Sequence, residues 1–219
     1  MEKQRNSNCW YLQVCQDDCF MCQTYLELKW QMDNSGLPEK LQKPIDMYIT
    51  DCNRCDRSSY KRLADIRKNI VKYVTEGNNL YICGEAGNGK TSWAIKLLQS
   101  YLHHMAHGNY EKLQGIFVSV SDLLLRLKDF NNPIPKEYKD NLEKVPLVVW
   151  DDIGISGISQ YDYTQLYTLI NNRSLAGKSN IFTSNLVDRR DLEDLIGERL
   201  TSRIYGSSEI ILLKGGDMR

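Results

Sequence analysis

Two stretches of this chain carry residues suited to phosphate chemistry. Gly84-Glu85-Ala86-Gly87-Asn88-Gly89-Lys90-Thr91 matches the pattern G-x-x-x-x-G-K-[ST]. Glycines let such a loop wrap so that its N–H groups point inward at a nucleotide β-phosphate. Lys90 then reaches the β- and γ-phosphate oxygens, and the Thr91 hydroxyl becomes a ligand for Mg2+. Ser92 belongs to the same binding run, in the first turn of the helix that follows, whose positive end adds to the anion site. Farther along, Pro146-Leu147-Val148-Val149-Trp150 leads into Asp151-Asp152. An apolar strand that ends in carboxylates places them at the C-terminal edge of a sheet, where open α/β folds bind ligands. Asp151 is expected to hold Mg2+ through its water, and Asp152 to orient or activate an attacking water. A glycine-rich turn or a solvated strand end would explain either motif alone. Together and in this order they point to ATP with Mg2+.

A third polar group follows the run Asn180-Ile181-Phe182-Thr183, which ends in Ser184-Asn185. The Asn185 amide is placed to contact a γ-phosphate or the water, a sensor role, although Ser-Asn after a strand also makes an ordinary turn.

The elements that must position these groups can be read from apolar runs. Short ones occur at 80–83, 116–120, 147–150, 181–183 and 210–213, separated by helical patterns such as Ala94, Leu97, Leu98, Tyr101, Leu102 and Met105. Five buried strands alternating with helices predict an α/β fold whose parallel sheet is covered on both faces. A helix from about Ser58 carries Leu63, Ile66, Ile70, Tyr73 and Val74, and Gly77 is its stop. An earlier amphipathic stretch, 25–32, ends at Ser35-Gly36-Leu37-Pro38, and 37–51 reads as a connector. The expected division is therefore 1–57, a head and connector, and 58–219, the nucleotide-binding core. No internal repeat or low-complexity tract is present.

Composition narrows the classes. Lys+Arg and Asp+Glu both number 28, so any nucleic-acid contact must come from a local patch rather than a net field. No apolar run is long enough to span a membrane, and the polar start 1–8 is unlike a signal peptide, so a cytoplasmic protein is expected. Six of the seven cysteines precede residue 56, in short spacings that point to metal rather than disulfides. Two zinc sets compete: the knuckles Cys19, Cys22, Cys52 and Cys55, or the local cluster Cys9, Cys15, Cys19 and Cys22. The remaining one, Cys83, reads as a small buried apolar residue. His103, His104 and His107 lack a carboxylate that would complete a known metal motif and read as surface residues.

The order of these motifs resembles AAA+ ATPases of the DnaC/DnaI/IstB type, closest to DnaC-like helicase loaders of bacteria and their phages. The residues that carry the resemblance are Ser35-Gly36-Leu37-Pro38, Gly87 to Trp93, Trp150-Asp151-Asp152-Ile153, Thr183-Ser184-Asn185 and Gly197-Glu198-Arg199-Leu200-Thr201-Ser202-Arg203. The resemblance implies an AAA+ core without a C-terminal lid, and too few residues follow Arg203 to build one. It also implies self-association, with an arginine finger reaching a neighbouring subunit's ATP: Arg203 first, Arg199 second. It implies ATP hydrolysis, a replicative hexameric helicase as partner and single-stranded DNA as cargo site. Arg126 and Lys128, on the helix expected over 121–130, are then candidate phosphate contacts. Relatives similar to DnaI carry a zinc module near the start, which favours the local cysteine cluster as a structural site that docks the helicase. Two other functions fit parts of the pattern: an IstB-like ATPase helper of DNA transposition, and a stand-alone P-loop phosphotransferase, for which an acceptor pocket and an arginine-bearing lid are missing.

Overall fold

The computed structural model describes residues 9, 22–43, 56–106, 112–129, 135–154 and 156–215. Its strands are β1 (Asn79–Gly84), β2 (Gly115–Ser119), β3 (Leu147–Asp151), β4 (Ser179–Ser184) and β5 (Ser208–Leu213). They form one parallel sheet in the order β2-β3-β4-β1-β5. Helices α1 (Gln23–Asn34), α2 (Arg57–Lys68), α3 (Ile70–Thr75) and α4 (Lys90–Met105) cover one face. Helices α5 (Val120–Lys128), α6 (Lys136–Lys144), α7 (Gln160–Leu175), α8 (Arg189–Ile196) and α9 (Glu198–Ile204) cover the other. Among the described residues no helix is long and apolar enough to cross a membrane.

Continuous apolar strands resolve into two cores because successive side chains point to opposite faces. Leu80, Ile82, Leu147, Val149 and Ile181 join the core under α1 to α4. Their neighbours Tyr81, Cys83, Val148, Trp150 and Phe182 join the core under α5 to α9. Burial pushes the Cys83 thiol up to about 11, so it stays protonated at neutral pH and packs as an apolar group.

Two elements depart from the sequence expectation. The single helix expected from Ser58 to Gly77 is broken at Asn69, whose side-chain amide and backbone N–H both bond Asp65 O, at 3.1 and 3.3 Å. That local cap competes with the helical ladder while the apolar periodicity runs on unbroken. Val120, expected in a strand, instead opens α5, because the Ser119 hydroxyl caps the helix by accepting from Asp122 N at 3.4 Å.

The run 23–43 packs on the same body as the sheet. Leu28, Met32 and Leu37 are buried in its first core, and Gln31 bonds Gln114 N and Lys112 O, both at 2.9 Å. Ser35-Gly36 lies along the outer edge of β2, where Phe117 N donates to Ser35 O at 2.7 Å. This contact satisfies part of an edge strand that would otherwise be open to pairing with another chain. Gly36 has φ +78, and a Cβ there would stand 2.6 Å from Phe117 O. Gly36→Ala is therefore expected to destabilise the protein by roughly 1–3 kcal/mol, read as a lower denaturant midpoint with an unchanged slope.

Candidate functional site

Chain direction brings the phosphate-binding loop to the middle of the sheet. β1 lies between β4 and β5, and its last residue, Gly84, opens the loop that closes at the first residue of α4, Lys90. Gly87 and Gly89 have φ of 81 and 87, a left-handed backbone that suits glycine. Glu85 and Ala86 are exposed at the rim, and Ser92 is half-buried in the first turn of α4. The Lys90 ammonium lies in the loop and donates to Gly84 O at 2.8 Å, Glu85 O at 2.6 Å and Asn88 Oδ1 at 3.3 Å. Asn88 anchors the loop to the neighbouring strand, donating from Nδ2 to Leu213 O at 2.6 Å. Gly84 is pressed against the same carbonyl, since a Cβ there would come within 2.0 Å of it.

Opposite this loop, β3 presents Asp151. Its Oδ1 accepts from the Thr91 hydroxyl at 2.8 Å and from the Thr183 hydroxyl at 2.6 Å. Burial pushes the Asp151 carboxyl above the usual carboxylate range, and the Asp152 charge adds to this, against the two hydroxyls and the Lys90 ammonium. Asp152 has φ 59, the one positive value at a non-glycine among the described residues. Its N–H donates to Thr183 Oγ1 at 2.9 Å, and its Oδ1 receives the exposed Asn185 amide at 3.4 Å. Thr91, Asp151, Asp152 and Asn185, expected from the sequence to act together with Lys90, are joined through Thr183 in one hydrogen-bonded group, and the Lys90 charge acts on Asp151 from the loop.

The other expected residues lie elsewhere. Arg199 and Arg203 are exposed on α9, while Leu200, Thr201 and Ile204 of the same helix are buried. Among the described residues neither guanidinium bonds the loop or the carboxylates. Arg126 is exposed on α5, and Lys128 is held by the buried Asp162 at 2.7 Å, so a phosphate contact from Lys128 requires that ion pair to open. Cys15, Cys19, Cys52 and Cys55 lie outside the described residues, as does His107. Cys9 and Cys22 are half-buried and outside any disulfide, and among the described residues no group of three or more His, Cys, Asp or Glu could hold a metal ion. A cavity of about 1020 Å3 opens at the opposite edge of the sheet, lined by Trp30, Lys112, Tyr138 and Lys178, and shares no residue with the loop.

Sequence reasoning missed Thr183 and the anchoring role of Asn88. The signal for Thr183 lay in the β3–β4 register, which pairs Trp150 with Phe182 and so sets Thr183 level with Asp151.

A lysine-bearing glycine loop between a central strand and a helix, facing a carboxylate two strands away in a parallel sheet, is the arrangement of a P-loop ATP-binding protein. The family model described as IstB-like ATP binding protein matches residues 4–219, and the chain belongs to that family. The replicative helicase loader DnaC of Buchnera aphidicola subsp. Schizaphis graminum is 28% identical over 165 residues. That alignment covers 68% of this chain, which spans 63% of the length of that relative. The crystal structure of the DnaC helicase loader is similar in fold, with a TM-score of 0.62 at 24% identity over 74% of this chain and 92% of that one. The DnaI crystal structure matches with a TM-score of 0.62 at 23% identity, over 86% of this chain and 99% of that one.

The raised Asp151 carboxyl gives a stability prediction with a definite sign. Between its unfolded pKa, about 3.9, and its higher folded value, the native state keeps a proton that the unfolded chain has lost. Stability without nucleotide therefore falls as pH rises through that window, and the penalty is fully present above it. Asp151→Asn removes the charge but keeps an acceptor oxygen for both hydroxyls. Its melting temperature without nucleotide should exceed wild type at pH 7, and the two should converge as pH falls toward about 4.

Proposed function

We propose that this chain is a cytoplasmic ATPase that loads a ring-shaped replicative helicase onto single-stranded DNA during DNA replication. The observation that carries the ATPase reading is the convergence of Thr91 and Thr183 on Asp151 beside the Lys90 loop. The loader reading is supported by similarity to a DnaC loader over 68% of the chain.

In this reading the loop from Gly84 to Ser92 binds the phosphates of ATP, and Lys90 exchanges its carbonyl partners for β- and γ-phosphate oxygens. A hydroxyl and a carboxylate are hard oxygen donors that suit Mg2+, so Thr91 and Asp151 fit that ion. Bound there, it would neutralise charge developing on the phosphates. Asp152 orients or activates the attacking water, and Asn185, which reaches Asp152, senses the γ-phosphate or the water. Arg203, with Arg199 second, acts on the ATP of a neighbouring copy, where a planar guanidinium matches phosphoryl oxygens. Their exposure on α9, with no bond to the chain's own loop among the described residues, supports action in trans and hence self-association. Arg126 is the first DNA contact to test on α5, with Lys128 available only if it leaves Asp162. The cysteine head, 1–57, is assigned a structural zinc and the docking of the helicase on sequence grounds alone. The family description keeps one second reading in view, an IstB-like helper of DNA transposition.

The test is ATP hydrolysis with and without single-stranded DNA, for wild type, Lys90→Ala, Arg203→Ala and a mixture of the two variants. Loss of the finger should cost about 10³-fold in kcat, and mixing should restore part of the turnover. Helicase-dependent stimulation selects the loader over the transposition helper. Turnover indifferent to DNA, with Arg203→Ala fully active, would instead mean a stand-alone nucleotide enzyme.

A further inference from the structure

We infer that Thr183 is a positioning residue for the ATP site, its one hydroxyl setting both the rotamer of Asp151 and the backbone turn that aims Asp152. This inference rests on the ATPase reading above and adds to it a residue that touches neither nucleotide nor metal.

Thr183 sits in β4, between β3 and β1, and is buried. A valine would fit such a central strand position at least as well, and a buried hydroxyl is costly unless it is bonded. The Thr183 hydroxyl both donates and accepts. It has one proton, which goes to Asp151 Oδ1 at 2.6 Å, and its oxygen accepts the Asp152 N–H at 2.9 Å. The Thr183 carbonyl takes the next N–H, that of Ile153, at 2.8 Å. Ser184 continues the clasp by donating to Ile153 O at 2.6 Å.

These bonds stand where the β3–β4 ladder stops. The regular register ends at Trp150 and Phe182. Had β3 continued as a strand, Asp152 would point to the face opposite Asp151. Instead Asp152 adopts φ 59, a left-handed conformation that a non-glycine residue keeps only when its surroundings hold it. The two N–H groups captured by Thr183 are what hold it. The turn brings the Asp152 carboxylate to the Asn185 amide. Asp151 is fixed by the same hydroxyl. Both Thr91 and Thr183 bond Oδ1, so when Thr91 also serves a metal ion, Thr183 keeps that oxygen in register.

Thr183→Val removes the hydroxyl and preserves the shape, and Thr183→Ser restores the hydroxyl. Three readouts separate positioning from mere packing: amide exchange at Asp152 and Ile153 without nucleotide, the Mg2+ concentration that tightens binding of a non-hydrolysable ATP analogue, and kcat. Groups that support metal ligands cost about 10- to 100-fold in metal affinity or activity when removed. Thr183→Val should show a loss of that size in its Mg2+ requirement and in kcat, with faster exchange at the Asp152 amide, whose acceptor it removes, than at Ile153, whose carbonyl acceptor it keeps. Its affinity for the analogue in EDTA should be unchanged, and Thr183→Ser should behave as wild type. Thr183→Ala gives the same comparison should the valine variant not fold. A wild-type Mg2+ requirement in the valine or alanine variant, equal loss of affinity in EDTA, or failure of serine to rescue would each overturn the inference. Absence of hydrolysis in wild type would overturn the ATPase reading alone, because the Mg2+ and exchange measurements still decide the role of Thr183.

Discussion

Asp151 Oδ1 accepts two hydroxyl hydrogen bonds, one from the first turn of α4 and one from the end of β4. This shared oxygen joins three segments that are distant in the sequence: the helix after the glycine loop, the acidic end of β3 and the strand that carries Asn185. It can do so because β3 and β4 are parallel neighbours in register, so the hydroxyl of Thr183 arrives level with the carboxylate. The arrangement has an electrostatic cost, since a carboxylate shielded from water beside a second acid prefers to hold its proton. A cation placed against it relieves that cost. That relief is the electrostatic basis of the Mg2+ site proposed at Thr91 and Asp151.

The other side of the loop is tied just as firmly. Leu213 O receives the Asn88 amide and crowds Gly84, while the next two backbone N–H groups, of Lys214 and Gly215, bond the buried Asp56 carboxylate at 2.6 and 2.5 Å. Asp56 precedes α2, and Ser59 of that helix donates to Leu212 O at 2.7 Å. The end of β5 therefore connects the phosphate loop to α2. Lys90, which bonds the loop's own carbonyls and Asn88, sits where a change of partner would be felt along that line.

The legible parts of this structure were those written as local pattern. Apolar runs located the five strands described, and the glycine, lysine and aspartate motifs marked the candidate site, because each depends on residues adjacent in the chain. The parts that escaped depend on contacts across the fold. Thr183 reads as an ordinary strand residue until the register places it beside Asp151. Lys128 reads as a free cation until α7 brings Asp162 to it. The break at Asn69 was hidden because the apolar periodicity continues through it, and the packing of 23–43 on β2 depends on Gln31 and Ser35 meeting residues far along the chain.

The most direct test of the account is calorimetric titration of a non-hydrolysable ATP analogue, with Mg2+ and with EDTA, into wild type and Lys90→Met. The account predicts binding by wild type that Mg2+ strengthens, and loss of that binding in the variant although the variant remains folded. Wild type that fails to bind the analogue, or a Lys90→Met protein that binds it equally well with the same Mg2+ dependence, would contradict it.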